Sequence, residues 1–217
     1  MYPSKTMLPL EVPAGTNVES LITKVIPDLH GRLVVEGGPA QAFTIAVRID
    51  GRGSWTAHIH GRQMHVVEGE AERPTFWLYA TEATAEQFLA DALGPKRLLP
   101  KPAAREPAAG VRTMTDPRVI QRLALASGRI ELAVIDETGR RIAVLLGFGD
   151  AARRPMVTEA PDTVAEAPLS ILEAILRGEQ GPEEALSSPH VIVRGSRFLA
   201  LQLALAVAPL YLAPRAR

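Results

Sequence analysis

Apolar and polar residues alternate along FTIAVRID. Phe43, Ile45, Val47 and Ile49 share one face, and Thr44, Ala46, Arg48 and Asp50 share the other. This period of two marks a strand with one buried side. GRGS turns the chain. WTAHIH and QMHVVEG then form two more strands around a two-residue GR loop, and PTFWLYA forms a fourth. Helical spacing appears on either side of this block. Val18, Leu21, Ile22, Val25 and Ile26 line one face, with Thr16 and Glu19 at capping-box spacing and Pro27 as the expected limit. Thr84 and Gln87 offer a second box, ahead of an apolar face of Phe88, Leu89, Ala92 and Leu93, and Gly94 fits a left-handed cap. Pro95, Pro100, Pro102 and Pro107 punctuate an exposed connection. VRTMT reads as a short strand and PRVIQRLALA as a helix with Pro117 near its first turn.

The same order then recurs. Ile45–Val47 matches Leu132–Val134 at a spacing of 87, Gly61 matches Gly147 at 86, Gly94 matches Gly178 at 84, and Leu123–Ala126 matches Leu203–Ala206 at 80. Four matches in one order point to a duplicated unit whose second copy has lost residues. The second copy has no leading helix. The helix from Pro117 to Ser127 is therefore expected to serve both copies and to lie packed between them.

Composition narrows the function. Apolar residues make up 47% of 217, enough for a substantial core. Lys plus Arg equals Asp plus Glu at 24 each, so no field draws polyanions and no nucleic-acid partner is expected. The absence of cysteine excludes disulfides, thiolate catalysis and Cys-based zinc sites. MYPSKTMLPLEVPAG holds no apolar run long enough for a signal peptide, and a cytoplasmic location is the expectation. FLALQLALAVAPLYLA is apolar nearly all round but shorter than the roughly 20 residues a bilayer requires. It reads as a buried core helix, with a membrane-surface helix as the other reading.

Two stretches carry a family resemblance: GSWTAHIHGRQMHVVEGEAERPTFWLYATEATAEQFLADALG, and more closely LSILEAILRGEQGPEEALSSPHVIVRGSRFLALQLALA. Their order of elements resembles the sterol carrier protein 2 family. Gly178, Pro182, Glu183, Ala185, Leu186, Val191, Val193 and Gly195 stand where that family has a helix-ending glycine, an acidic-proline segment, an Ala-Leu pair, a strand and a Gly-Asp pair. Ser196 replaces the acidic member of that pair, and Thr115 and Asp116 replace both in the first copy. The second copy's meander is short. The resemblance implies an α+β fold, an antiparallel-rich sheet covered on one face by helices, with an apolar tunnel between. Family members bind sterols, fatty acids, acyl-CoA or phospholipids there. The expected organisation is an extension at 1–16, a first unit at 17–128 and a shortened second unit at 129–217. The implied function is noncatalytic lipid binding or transport, without a cofactor. The residues expected to line the tunnel are Phe43, Ile45, Val47, Phe88, Leu172, Phe198, Leu201 and Leu205. The competing class is an interaction or structural module whose tunnel is filled by side chains. Transient membrane contact and homo-oligomerisation stay open as partner classes.

TAHIHGRQMH places three of the five histidines in one hairpin. With GR as the loop, His58 faces His65, His60 faces Gln63 and Ile59 faces Met64. His58, His60 and His65 then share the outer face, opposite Trp55, Ala57 and Ile59. Three histidines on one face suit zinc in principle. No carboxylate stands ready to orient the rings beyond Glu68 or Glu70, so a polar strand face without metal is expected, and a His-metal hydrolase ranks last. No Walker, Rossmann or G-x-S-x-G pattern appears. Glu179, Glu183 and Glu184 read as a solvated helix start. Trp77 and Tyr79 alternate away from Phe76 and Leu78, either into the seam between the units or onto a contact surface.

Overall fold

The computed structural model describes residues 15–33, 42–61, 63–89, 117–153, 160–176 and 179–207. The chain enters through α1 (Val18–Ser20), a π-helical stretch (Leu21–Val25) and α2 (Ile26–Leu33). The cap is Asn17, one residue beyond Thr16. Its Oδ1 accepts the Ser20 N–H at 2.8 Å, and Ser20 Oγ accepts the Asn17 N–H at 2.9 Å. Pro27 does not stop the helix. The Ile26 N–H reaches back to the Leu21 carbonyl, and this wider turn leaves Pro27 in the first turn of α2, where a missing N–H is tolerated.

Strands β1 (Phe43–Ile49), β2 (Gly53–His60) and β3 (Gln63–Glu68) form a meander. β4 (Phe76–Ala80) returns parallel to β1 and leads into α3 (Glu82–Leu89). Thr81 opens α3, its Oγ1 accepting the Thr84 N–H at 3.1 Å, so the cap lies three residues ahead of the expected Thr84–Gln87 box. α4 spans Pro117–Ala124. β5 (Gly128–Ile135) and β6 (Arg141–Phe148) form a hairpin whose turn is tied by Asp136, which accepts from the Thr138 and Arg140 N–H groups at 2.9 and 3.0 Å. A 3-10 turn (Gly149–Arg153), β7 (Thr163–Pro168), α5 (Leu169–Leu176), α6 (Pro182–Ala185), β8 (Ile192–Gly195) and α7 (Arg197–Val207) complete the order. The Gly94 and Gly178 caps and the VRTMT strand lie outside the described residues.

All eight strands join one sheet, in the order β3-β2-β1-β4-β6-β5-β7-β8. Pairing is antiparallel except between β1 and β4 and between β5 and β7. Each half thus carries a hairpin, a strand parallel to its first member, and a helix. Glu82–Leu89 and Leu169–Leu176 lie 87 residues apart. β2 and β6 are each followed by a glycine of positive φ, Gly61 at 58° and Gly149 at 60°. Gly149 thus follows β6 as Gly61 follows β2, and Gly147 sits inside β6 opposite Trp77. The spacing holds steady through the strands and the helix and falls only beyond them.

Alternation sorts the side chains onto two faces. On one, Phe43, Ile45, Ala57, Ile59, Phe76, Ile130 and Phe148 pack beneath Val119, Ile120 and Leu123 of α4 and Leu199, Ala200 and Ala206 of α7. This cluster draws strands from both halves of the chain. At the opposite strand ends, Ile49, Trp55 and Ala80 pack with Val18, Ile22 and Ala85, while Ile142 packs with Leu169. The other face carries Trp77, packed with Ala46 and with Ala152 of the 3-10 turn, over the β4–β6 seam. Tyr79 stacks beside it at 5.7 Å between ring centroids.

α7 is buried along one side only. Leu199, Ala200, Ala204 and Ala206 point inward, whereas Phe198, Leu201 and Leu205 are exposed. It lies over β5, β7 and β8 and is flanked by α4 and α6, and among the described residues nothing covers its outer side. Ser196 stands at its start, with Oγ 3.4 Å from the Leu199 N–H, doing by hydroxyl what an acidic residue does by carboxylate.

Candidate functional site

The helices cover the two ends of the strands and leave the middle thinly covered. α4 and α7 lie over the end marked by Phe43, Phe76, Phe148 and Ile130. α1 and α3 on one side, and α5 on the other, lie over the end marked by Ile49, Ala80 and Ile142. Between them runs a band of apolar side chains on the helix-facing side. Val47 pairs with Leu78, Leu78 with Leu146, Leu132 with Val144, and Leu132 with Ala165. Val47, Leu78, Val144, Leu146 and Ala165 are half-buried, and Leu132 is 36% exposed although its strand has neighbours on both sides.

The band crosses five strands, β1, β4, β6, β5 and β7. At roughly 4.8 Å per strand it is about 19 Å wide. None of its six side chains titrates or carries a hydrogen-bonding group. It offers apolar area, and it supplies no acid, base or nucleophile.

The structure distributes the expected tunnel residues over three places. Phe43 and Ile45 are buried under α4 and α7, at 4% and 8% exposure. Val47 is in the band, and Leu172 is half-buried beside Val134 near its edge. Phe198, Leu201 and Leu205 face outward. Phe88 belongs to α3, but its side chain is outside the described set. Leu78, Leu132, Val144, Leu146 and Ala165 were not singled out from sequence. Their alternation gave the face, but their meeting depends on the nonlocal pairings β4–β6 and β5–β7.

The histidine hairpin has the expected register: His58 opposite His65, His60 opposite Gln63, Ile59 opposite Met64. All three histidines are exposed on the face away from the helices. Among the described residues no group of three His, Cys, Asp or Glu side chains is arranged to hold a metal ion. On that same face Arg141 bridges Glu166, at 3.0 Å, and Glu131, and these two carboxylates, Glu131 first, raise its pKa. Tyr79 is pushed up by burial and then by Asp50. Two open clefts of about 450 Å³ flank the β1–β2 turn, one lined by Asp50, Thr81, Glu82 and Glu86, the other by Arg48, Arg52, Ser54 and Glu70. Arg52 pairs with Glu82 and Glu86 there, and Arg48 with Glu70 at 3.5 Å. These are solvated ion pairs, worth little individually and shaped for no particular ligand.

No family model matches the chain, and no curated protein matches it. Two solved structures are similar to this chain. One is the solution structure of a conserved hypothetical protein, TT1886, from Thermus thermophilus, described as a candidate sterol carrier protein. It is 25% identical, with a TM-score of 0.31, over 42% of this chain and 71% of that one. The other is a UbiJ-SCP2 ubiquinone synthesis protein, 10% identical with a TM-score of 0.27, over 89% of this chain and 99% of that one.

Proposed function

We propose that this chain binds an apolar small molecule, a lipid or fatty acyl chain, along the band centred on Leu132, and that it does so without catalysis. The supporting observation is the exposure of Leu132 on the helix-facing side of a strand in the middle of the sheet. Alternating strands bury such positions when the cover is complete. Here the helices pack tightly at the strand ends, where Phe148, Ile130 and Val119 are almost fully enclosed, and leave apolar surface between. Each methylene seated there contributes about 0.8 kcal/mol. Ten of them give about 8 kcal/mol, from which the cost of immobilising the ligand, about 4 kcal/mol or more, is subtracted. The recurrence of hairpin, parallel strand and helix in both halves supports two fused sterol-carrier-like units, at 17–128 and 129–217. The close packing under α4 and α7 favours the second reading, an interaction module whose tunnel is filled by side chains.

Mass spectrometry of apolar molecules that copurify with the native chain, followed by uptake of a fluorescent fatty acid, separates the two. Binding that Leu132→Arg weakens at least tenfold, with the fold intact by circular dichroism, supports the carrier reading. A wild type that neither retains nor takes up an apolar molecule overturns it and leaves the interaction module.

A further inference from the structure

The outer side of α7 is not part of the band. Phe198 is 73% exposed, Leu201 46% and Leu205 49%. Spaced by three and four residues, they form one continuous stripe. Leu125, just beyond α4, is 77% exposed. α4 and α7 are joined where Gln202 Nε2 donates to the Leu125 carbonyl at 3.4 Å and Arg122 Nη1 donates to the Leu205 carbonyl at 3.0 Å. Two helices thus present a single apolar ridge rimmed by exposed Arg122 and Arg197.

Charge identifies what the ridge fits. The whole chain has equal numbers of acids and bases, yet 117–130 and 189–217 contain arginines and no Asp or Glu. The charges on the two helices themselves are therefore all cationic. Acids on neighbouring elements include Asp162, which pairs with Arg129 at 3.6 Å, and Glu183 and Glu184 of α6, and Asp116 directly precedes α4 in sequence. The four apolar side chains expose on the order of 400 Å², estimated from the size of such side chains. Two copies meeting ridge to ridge would set arginine against arginine, with no acid on either helix to answer it. An apolar ridge edged by arginine has the make-up of a helix lying in the interface of an anionic bilayer.

We propose that α7, with Leu125 and Arg122 of the α4 end, is a docking ridge for anionic lipid surfaces. Phe198, Leu201, Leu205 and Leu125 enter the headgroup–acyl boundary, and Arg122 and Arg197 meet the lipid phosphates.

Cosedimentation of the full chain with vesicles tests this directly. Wild type is expected to bind phosphatidylcholine–phosphatidylglycerol vesicles, to bind pure phosphatidylcholine at least tenfold more weakly, and to lose binding as salt is raised. Phe198→Ser with Leu201→Ser removes two exposed side chains and should cost at least tenfold in partitioning while thermal melting stays close to wild type. Arg197→Glu should weaken binding to the anionic vesicles alone. Absence of binding to anionic vesicles overturns the proposal, as does a double variant that binds like wild type. A concentration-dependent dimer in sedimentation that the double variant abolishes also overturns it, because the ridge would then join two copies of this chain.

Discussion

His30 Nε2 lies 3.1 Å from the carbonyl oxygen of Gly61, so a helix at the start of the chain is fastened to the tip of the β2–β3 hairpin. His30 is 9% exposed, and burial holds its pKa below the ordinary 6.5, with the Gly61 hydrogen bond opposing the shift. The folded state therefore prefers neutral imidazole. The contribution is present in full above the unfolded value near 6.5 and is lost as pH falls through it toward the depressed folded value. The melting temperature should fall between neutral and mildly acidic pH, and fall less in His30→Gln. An NMR titration that places His30 at or above 6.5 contradicts this.

Gly195 and Gly61 both have positive φ, at 83° and 58°, but their surroundings differ. A Cβ on Gly195 would lie 2.1 Å from the Asp162 carbonyl oxygen, whereas one on Gly61 meets nothing within 4 Å. Gly61→Ala should cost only the left-handed strain, about 1 kcal/mol. Gly195→Ala should cost about 3 kcal/mol or more, because backbone must move. Urea unfolding of the two variants compares them, and equal losses would show that the β7–β8 contact gives way easily.

Val119 has no exposure at all, and Leu125, six residues on, has 77%. Val119→Ala should lower stability by about 2 kcal/mol through the cavity it leaves beneath α4. Leu125→Ala should change it by less than about 0.5 kcal/mol. Comparable losses in denaturant titrations would mean that Leu125 is covered in solution.

Arg141 links β5, β6 and β7 through Glu131 and Glu166, with 41% of its side chain exposed. Solvent screening limits such a pair, so Arg141→Met should cost only about 0.5 to 1 kcal/mol, and less at high salt. A loss that salt leaves unchanged would assign the effect to packing of the arginine stem.

The residues themselves determine whatever closes over a short span. The β2–β3 register follows from a two-residue loop and period-two alternation, which places His58 opposite His65. Cap positions were displaced by one to three residues because Asn17 and Thr81 compete with the neighbours the pattern favoured, and short polar side chains in any of these places can close the same ring. Tertiary structure decided the rest. Periodicity gives each strand a face but not a neighbour, so the meeting of Leu78 with Leu146 and of Leu132 with Ala165 required the order of the whole sheet. In the same way, α7 is apolar nearly all round in sequence. Which side meets the sheet depends on where α4 and α6 stand, and that leaves Phe198, Leu201 and Leu205 outside.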